Sequence, residues 1–261
     1  MLAIAVCAAG VIPTVPIGPA GLPMPLVSLG TGSGQHGDVA NATAMWLQVG
    51  GSGIDTAYIY DDEASIAAGV KAVGASWGSI FLTTKIPCTT TQAAKADVAS
   101  NLRSLGVGRV DLLLIHSPRP WRGGTSRCSV AETWAVLEEA QAAGQARSIG
   151  VSNFRIADLE MLAATAKVRP AVNQCSHSVS YHDDATAAYC EQRGIVYEAY
   201  SPLCGGANGS SCDHGSVLSI PLVQSIATSH GVSAAQVGRL VALLGCPFLH
   251  PSIRWPADPD P

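Results

Sequence analysis

The 261-residue chain is poor in charge. Asp, Glu, Lys and Arg make up only 13% of it, against 48% hydrophobic residues. Disorder requires the opposite balance, so the composition argues for a packed core, enough for one large domain or two ordinary ones. No Lys/Arg run occurs and the net charge is −4, which argues against a surface for nucleic acid or anionic lipid. A C-x-x-C pair is missing too. The eight cysteines are scattered over positions 7, 88, 128, 175, 190, 204, 212 and 246. Disulfide frameworks belong to short secreted chains, so mainly free thiols in a reducing compartment are expected. Cys204, Cys212 and His214 come closest to a metal cluster, but their spacing fits no standard zinc pattern. No metal is expected.

The apolar start, MLAIAVCAAGVIPTVPIG, has no basic residue ahead of it. It is therefore a poor secretory signal, and it is too short and Pro-broken to span a bilayer. Asn41-Ala-Thr and Asn208-Gly-Ser match the glycosylation pattern, which carries no information without export. A cytoplasmic location is expected.

What is present is an alternation. Apolar runs at 25–31, 53–57, 79–86, 110–117, 146–152, 170–176 and 194–201 read as strands. Between them lie Ala-rich runs of helical period near 38–49, 62–74, 91–106, 130–144, 156–166 and 183–193, with one more at 233–245. Asp61 and Asp62 suit the N-terminus of the second helix, and Gly106 suits the end of the third. The strands are continuous rather than alternating, as in a parallel sheet covered on both faces. No composition break marks a linker, so residues 1–261 are expected to form a single domain, with 1–23 as an N-terminal extension and 246–261 as an atypical tail.

Polar residues punctuate the strand ends: Asp55, Lys85, His116, Ser152, Gln174 and Tyr200. Six strands of an open sheet do not deliver side chains to one pocket, whereas a (β/α)8 barrel opens all its C-terminal strand ends onto one mouth. The expected fold class is therefore α/β, a (β/α)8 TIM barrel with an irregular eighth strand and no final helix. At such a mouth Asp55, Tyr60, Lys85 and His116 would make a device for protonating an oxygen. A tyrosine titrates near 10, a nearby ammonium lowers that value, and a carboxylate relieves the burial of the ammonium. The imidazole would orient a carbonyl oxygen or help move the proton.

Six blocks in this order, GIDTAYIYDDE, LTTKI, VDLLLIHSP, GQARSIGVSNF, VNQ and AYSPL, resemble the signature blocks of the aldo-keto reductases over about residues 24–245. The resemblance implies a barrel that uses NADP(H) to reduce an aldehyde or ketone. It implies Tyr60 as general acid, Lys85 as the group that tunes it, Asp55 as the partner of Lys85, and His116 as the residue directing the substrate carbonyl. Ser152, Asn153 and Gln174 match contacts to the nicotinamide carboxamide. Tyr200 matches the residue stacked on the ring, Ser201 and Leu203 a segment along the pyrophosphate, and Thr31 a cofactor-contacting loop position. Trp121 is a candidate wall of the substrate pocket.

The chain also departs from that pattern. Ser176 stands where the family places a glutamate. The run CPFLHPSIRWPADPDP replaces the block that grips the adenosine 2′-phosphate, with Ser252 and Arg254 nearest to a substitute. The competing expectation is thus a catalytically impaired or regulatory barrel that binds cofactor weakly or not at all. Apart from a small carbonyl substrate no partner is expected. The protein is read as a monomer, with the C-terminal flank as its surface for association.

Overall fold

The computed structural model describes residues 12–32, 38–120, 127–204 and 216–245. Its contacts fall into two units, Met1–Gln174 and Cys175–Pro261. The expected irregular eighth strand and the tail at 246–261 lie outside the described residues, as do Trp121, Cys212 and His214.

The first unit opens with a hairpin. Strands β1 (Thr14–Ile17) and β2 (Leu22–Pro25) pair antiparallel, with Ile17 opposite Leu22. Gly18 and Gly21, at φ of 62° and 61°, make the turn, a left-handed conformation that glycine adopts without steric cost. A two-stranded ribbon has free edges, which is why it tolerates Pro16, Pro23 and Pro25. The strand expected over 25–31 is correspondingly shortened: Pro25 belongs to the hairpin, and β3 covers only Leu29–Gly30.

From β3 the strands follow one another in parallel. They are β4 (Gly53–Asp55), β5 (Phe81–Ile86), β6 (Val110–Ile115), β7 (Ala146–Ser152) and β8 (Val172–Ser176). The register sets Gly30 beside Asp55, Asp55 beside Thr83, Lys85 beside Leu114 and Ser152 beside Gln174. Helices α1 (Val39–Gln48), α2 (Glu63–Ala72), α3 (Thr91–Leu105), α4 (Val130–Ala142) and α5 (Ile156–Ala163) connect them. Every residue of β5 is buried, as parallel strands covered on both faces should be. The ends of α1 and α3 follow local chemistry. Asp38 accepts the Asn41 N–H to start α1, and Gly106 ends α3 at φ 70°. Before α2 that chemistry fails, because Asp62 sits at the cap position and its side chain caps nothing.

One cysteine expectation is corrected. Cys88, just past β5, is disulfide-bonded to Cys128, just before α4, with their Cα atoms 5.0 Å apart. Cys204 is also disulfide-bonded. The two loops meet because β5 and β6 are neighbours, a proximity that no sequence spacing displays.

The second unit contains α6 (Asp184–Gln192), β9 (Val196–Tyr200), α7 (Pro221–His230) and α8 (Ala234–Gly245). Cys204, Val217, Val223, Ala227 and Val237 form its apolar cluster. Helix α7 starts on Pro221 and ends at Gly231, φ 63°, a combination suited to a helix but not anticipated above. No helix among the described residues is long and apolar enough to cross a membrane.

Candidate active site

Four elements deliver the polar cluster. Asp55 ends β4, Tyr60 closes a 3₁₀ turn (Tyr58–Tyr60), Lys85 lies near the end of β5, and His116 follows β6. Lys85 is 1% exposed, and its ammonium is paired with Asp55 Oδ1. It also donates to the Thr56 carbonyl oxygen at 3.0 Å. A lysine this deep is unaffordable without such partners, because an unpaired buried ammonium loses its hydration with nothing in exchange. The second Asp55 oxygen accepts from Gln174 Nε2 at 2.8 Å.

Tyr60 lies near both Lys85 and His116. Lys85 Nζ is 5.5 Å from the centre of its ring, and the His116 ring meets it edge-on at 5.6 Å and 83°. Sequence reasoning expected Lys85 to bring the phenol down. The structure shows a balance instead. Burial raises the Tyr60 pKa most, Lys85 lowers it, Asp55 and Asp62 raise it further, and the net direction is up. The phenol is therefore protonated at neutral pH, and Lys85 restrains the rise rather than reversing it. His116 is pushed down to about 3 by burial and by Lys85, so its ring is neutral there.

A second group surrounds the ends of β7 and β8. The Ser152 hydroxyl donates to the Gln174 carbonyl oxygen at 2.8 Å. Asn153 Nδ2 donates to the His116 carbonyl oxygen at 2.9 Å and to Ser152 Oγ at 3.0 Å. Asn153 does this from a left-handed backbone, φ 64°, a conformation Asn accepts more readily than most residues. Thr31 is buried, with its N–H on the Asp55 carbonyl oxygen at 3.0 Å. In the first unit the structure thus brings together Thr31, Asp55, Tyr60, Lys85, His116, Ser152, Asn153 and Gln174. Tyr200, Ser201 and Leu203 belong to the second unit, where Ser201 has φ 51° and Tyr200 accepts the His177 N–H at 3.1 Å.

Two residues at the site escaped the sequence reading. A Cβ on Gly32 would fall 2.7 Å from Tyr60 Cζ and 2.8 Å from its hydroxyl, so this glycine makes room for the phenol. Its signal was the LGTG run, which begins in the first parallel strand and ends just past it. The other is Thr56, whose carbonyl holds Lys85 and whose hydroxyl is bound by Asp62 at 2.6 Å. Beside the cluster, Ile59, Pro87, Cys88, His116, Ser117 and Arg119 line a small cleft. Among the described residues no group of His, Cys, Asp and Glu is arranged to hold a metal ion.

Comparison with known proteins gives the family. The pattern of the Aldo/keto reductase family matches residues 27–238. D-galacturonate reductase of Hypocrea jecorina is 35% identical over 236 residues, covering 83% of this chain and 74% of its own. Glycerol 2-dehydrogenase (NADP(+)) of Saccharomyces cerevisiae is 31% identical over 240 residues, with 83% and 75% covered. Among solved structures, an aldo/keto reductase from Brucella melitensis superposes with a TM-score of 0.78 at 30% identity, covering 90% of this chain and 86% of its own. A Bombyx mori aldo-keto reductase in complex with NADP gives 0.77 at 28% identity, with 87% and 78% covered. The fold class is the (β/α)8 TIM barrel, and the chain belongs to the aldo/keto reductase family.

Proposed function

We propose that the protein reduces an aldehyde or ketone to an alcohol with NADPH, Tyr60 supplying the proton. The observation that carries this reading is the buried Lys85–Asp55 pair set against Tyr60, with the neutral His116 ring edge-on to the phenol. As negative charge develops on a carbonyl oxygen, a protonated phenol delivers its hydrogen, and the fixed Lys85 charge stabilises the phenolate left behind. Neutral His116 is suited to donate a hydrogen bond that orients the carbonyl oxygen, and unsuited to act as an acid. Asp55 holds Lys85 charged and in place.

The group around Ser152, Asn153 and Gln174 fits a primary carboxamide, since a hydroxyl and two side-chain amides are each held in place: Asn153 on Ser152 Oγ, Ser152 on the Gln174 main-chain carbonyl oxygen, and the Gln174 amide on Asp55. These residues would hold the nicotinamide end of the cofactor, with Thr31 near them. When bound, a reduced nicotinamide supplies the hydride. The cleft lined by Ile59, Pro87 and His116 is where the substrate would enter.

The test is NADPH oxidation with a panel of aromatic and short aliphatic aldehydes. Tyr60→Phe should lower kcat by about 10²–10⁴-fold, the range contributed by a positioned proton donor, with NADPH still bound. Lys85→Met should also slow turnover, since it removes the one charge that restrains the Tyr60 pKa. NADPH binding without turnover in the wild type would favour a binding or regulatory barrel, and a Lys85→Met enzyme of normal rate would remove the basis of the proton step.

A further inference from the structure

Asp62 is turned away from the helix it precedes. It occupies the N-cap position of α2, yet its side chain makes no capping bond. It is 6% exposed, its Oδ1 accepts the Thr56 hydroxyl at 2.6 Å, and its Oδ2 has no hydrogen-bond partner among the described residues. A buried carboxylate with half its acceptor capacity unused is costly. Helix capping therefore does not account for its place.

Its neighbours do. The Thr56 carbonyl oxygen receives Lys85 Nζ at 3.0 Å, and the Tyr60 N–H donates to the Ala57 carbonyl oxygen at 2.9 Å. The Thr56–Asp62 bond spans that turn from one end to the other. It closes the segment carrying Tyr60 into a ring, and it braces the peptide whose carbonyl holds the ammonium. We propose that Asp62, acting through Thr56, is a positioning residue that fixes the Tyr60 turn and the Lys85 ammonium for proton transfer. This rests on the reductase reading above, in which Tyr60 is the donor.

The charge of Asp62 matters as well as its hydrogen bond. Facing Tyr60 are Lys85 from β5, Asp55 from β4, Asp62 from the start of α2 and the neutral ring of His116 after β6. Burial holds the proton on the phenol most, Lys85 opposes it, and Asp55 and then Asp62 add to the rise. Asp62 thus adds the last part of the rise in the Tyr60 pKa, beside the placing it does through Thr56.

Two substitutions separate these effects. Asp62→Asn keeps an oxygen acceptor for Thr56 but removes the charge. Thr56→Val removes the hydroxyl at nearly constant shape, and Thr56→Ser restores it. Ionisation of Tyr60 is read by NMR titration of ring-labelled protein, with Tyr60→Phe identifying its resonance, so that readout does not depend on turnover. In Asp62→Asn the Tyr60 midpoint moves to lower pH. In Thr56→Val kcat falls by about tenfold, a part of what a positioned acid contributes, with the KM for NADPH unchanged, and Thr56→Ser recovers the rate. A Tyr60 titration identical to wild type in a folded Asp62→Asn protein overturns the proposal, as does wild-type kcat in Thr56→Val. Should the wild-type protein reduce no aldehyde, the reductase reading fails, and the titration still tests whether the charge of Asp62 acts on Tyr60.

Discussion

Gln174 and Asp55, 119 positions apart in sequence, are joined by a 2.8 Å hydrogen bond from Nε2 to Oδ2. With Lys85 on Oδ1, both carboxylate oxygens are engaged, which is the condition under which a buried ion pair becomes tolerable. Gln174→Leu removes the donor and leaves that oxygen short of a protein partner. The expected loss is about 1–3 kcal/mol of stability, read from urea unfolding. A raised KM for NADPH in the same variant would accompany the nicotinamide contact proposed for this residue.

His116 predicts a pH dependence with a definite sign. Its pKa falls from 6.5 to about 3 in the folded protein, so between those values the unfolded chain binds a proton that the native state refuses. Its contribution is complete above about 6.5 and is lost as pH falls toward 3, with a slope of at most about 1.4 kcal/mol per pH unit. Unfolding free energies measured across that range should fall more steeply for wild type than for His116→Gln. Equal slopes would mean that the imidazole is not held neutral.

Much of this site was legible because parallel strands are apolar throughout, so a polar residue near a strand end stands out. Asp55, Lys85, His116, Ser152 and Gln174 all announced themselves in that way. Tyr60 was legible only through the company it keeps in GIDTAYIYDDE. What stayed hidden depends on contacts between distant segments or on side-chain direction. The ribbon at 14–25 was masked by its prolines, which argue against a central strand and say little about an edge. Asp62 reads as a helix cap by every local rule, and only the fold reveals that Thr56 takes it instead. The net rise of the Tyr60 pKa was hidden too, because burial outweighs a charge pair whose presence alone the residues disclose.

The Cys88–Cys128 bridge closes a loop of sequence separation 40. Restricting the unfolded chain in this way stabilises a protein by about 2–4 kcal/mol. Hydrogen bonds between Thr89 and Thr133 tie the same two segments, at 3.0 Å from the Thr89 N–H and 2.9 Å to its carbonyl oxygen. Removing the bridge should therefore lower stability without dismantling the site. A Cys88→Ala/Cys128→Ala double variant is expected to melt several degrees lower, with its aldehyde KM little changed. If the KM rises many-fold instead, the bridge shapes the cleft that Cys88 lines.

Gly32 offers a test of placement that leaves every polar group intact. A methyl group there would sit 2.7 Å from Tyr60 Cζ, a distance no native contact tolerates. The atoms it meets belong to the far end of a side chain, so the ring can swing aside, and the fold should survive. The phenol would then move while Lys85, held by Asp55 and Thr56, would not. A displacement of about 1 Å at a reacting group costs on the order of 10²-fold in rate. Gly32→Ala is accordingly expected to melt close to wild type and to lose most of its kcat. A variant with full kcat would mean that the position of the Tyr60 hydroxyl against Lys85 does not govern proton delivery.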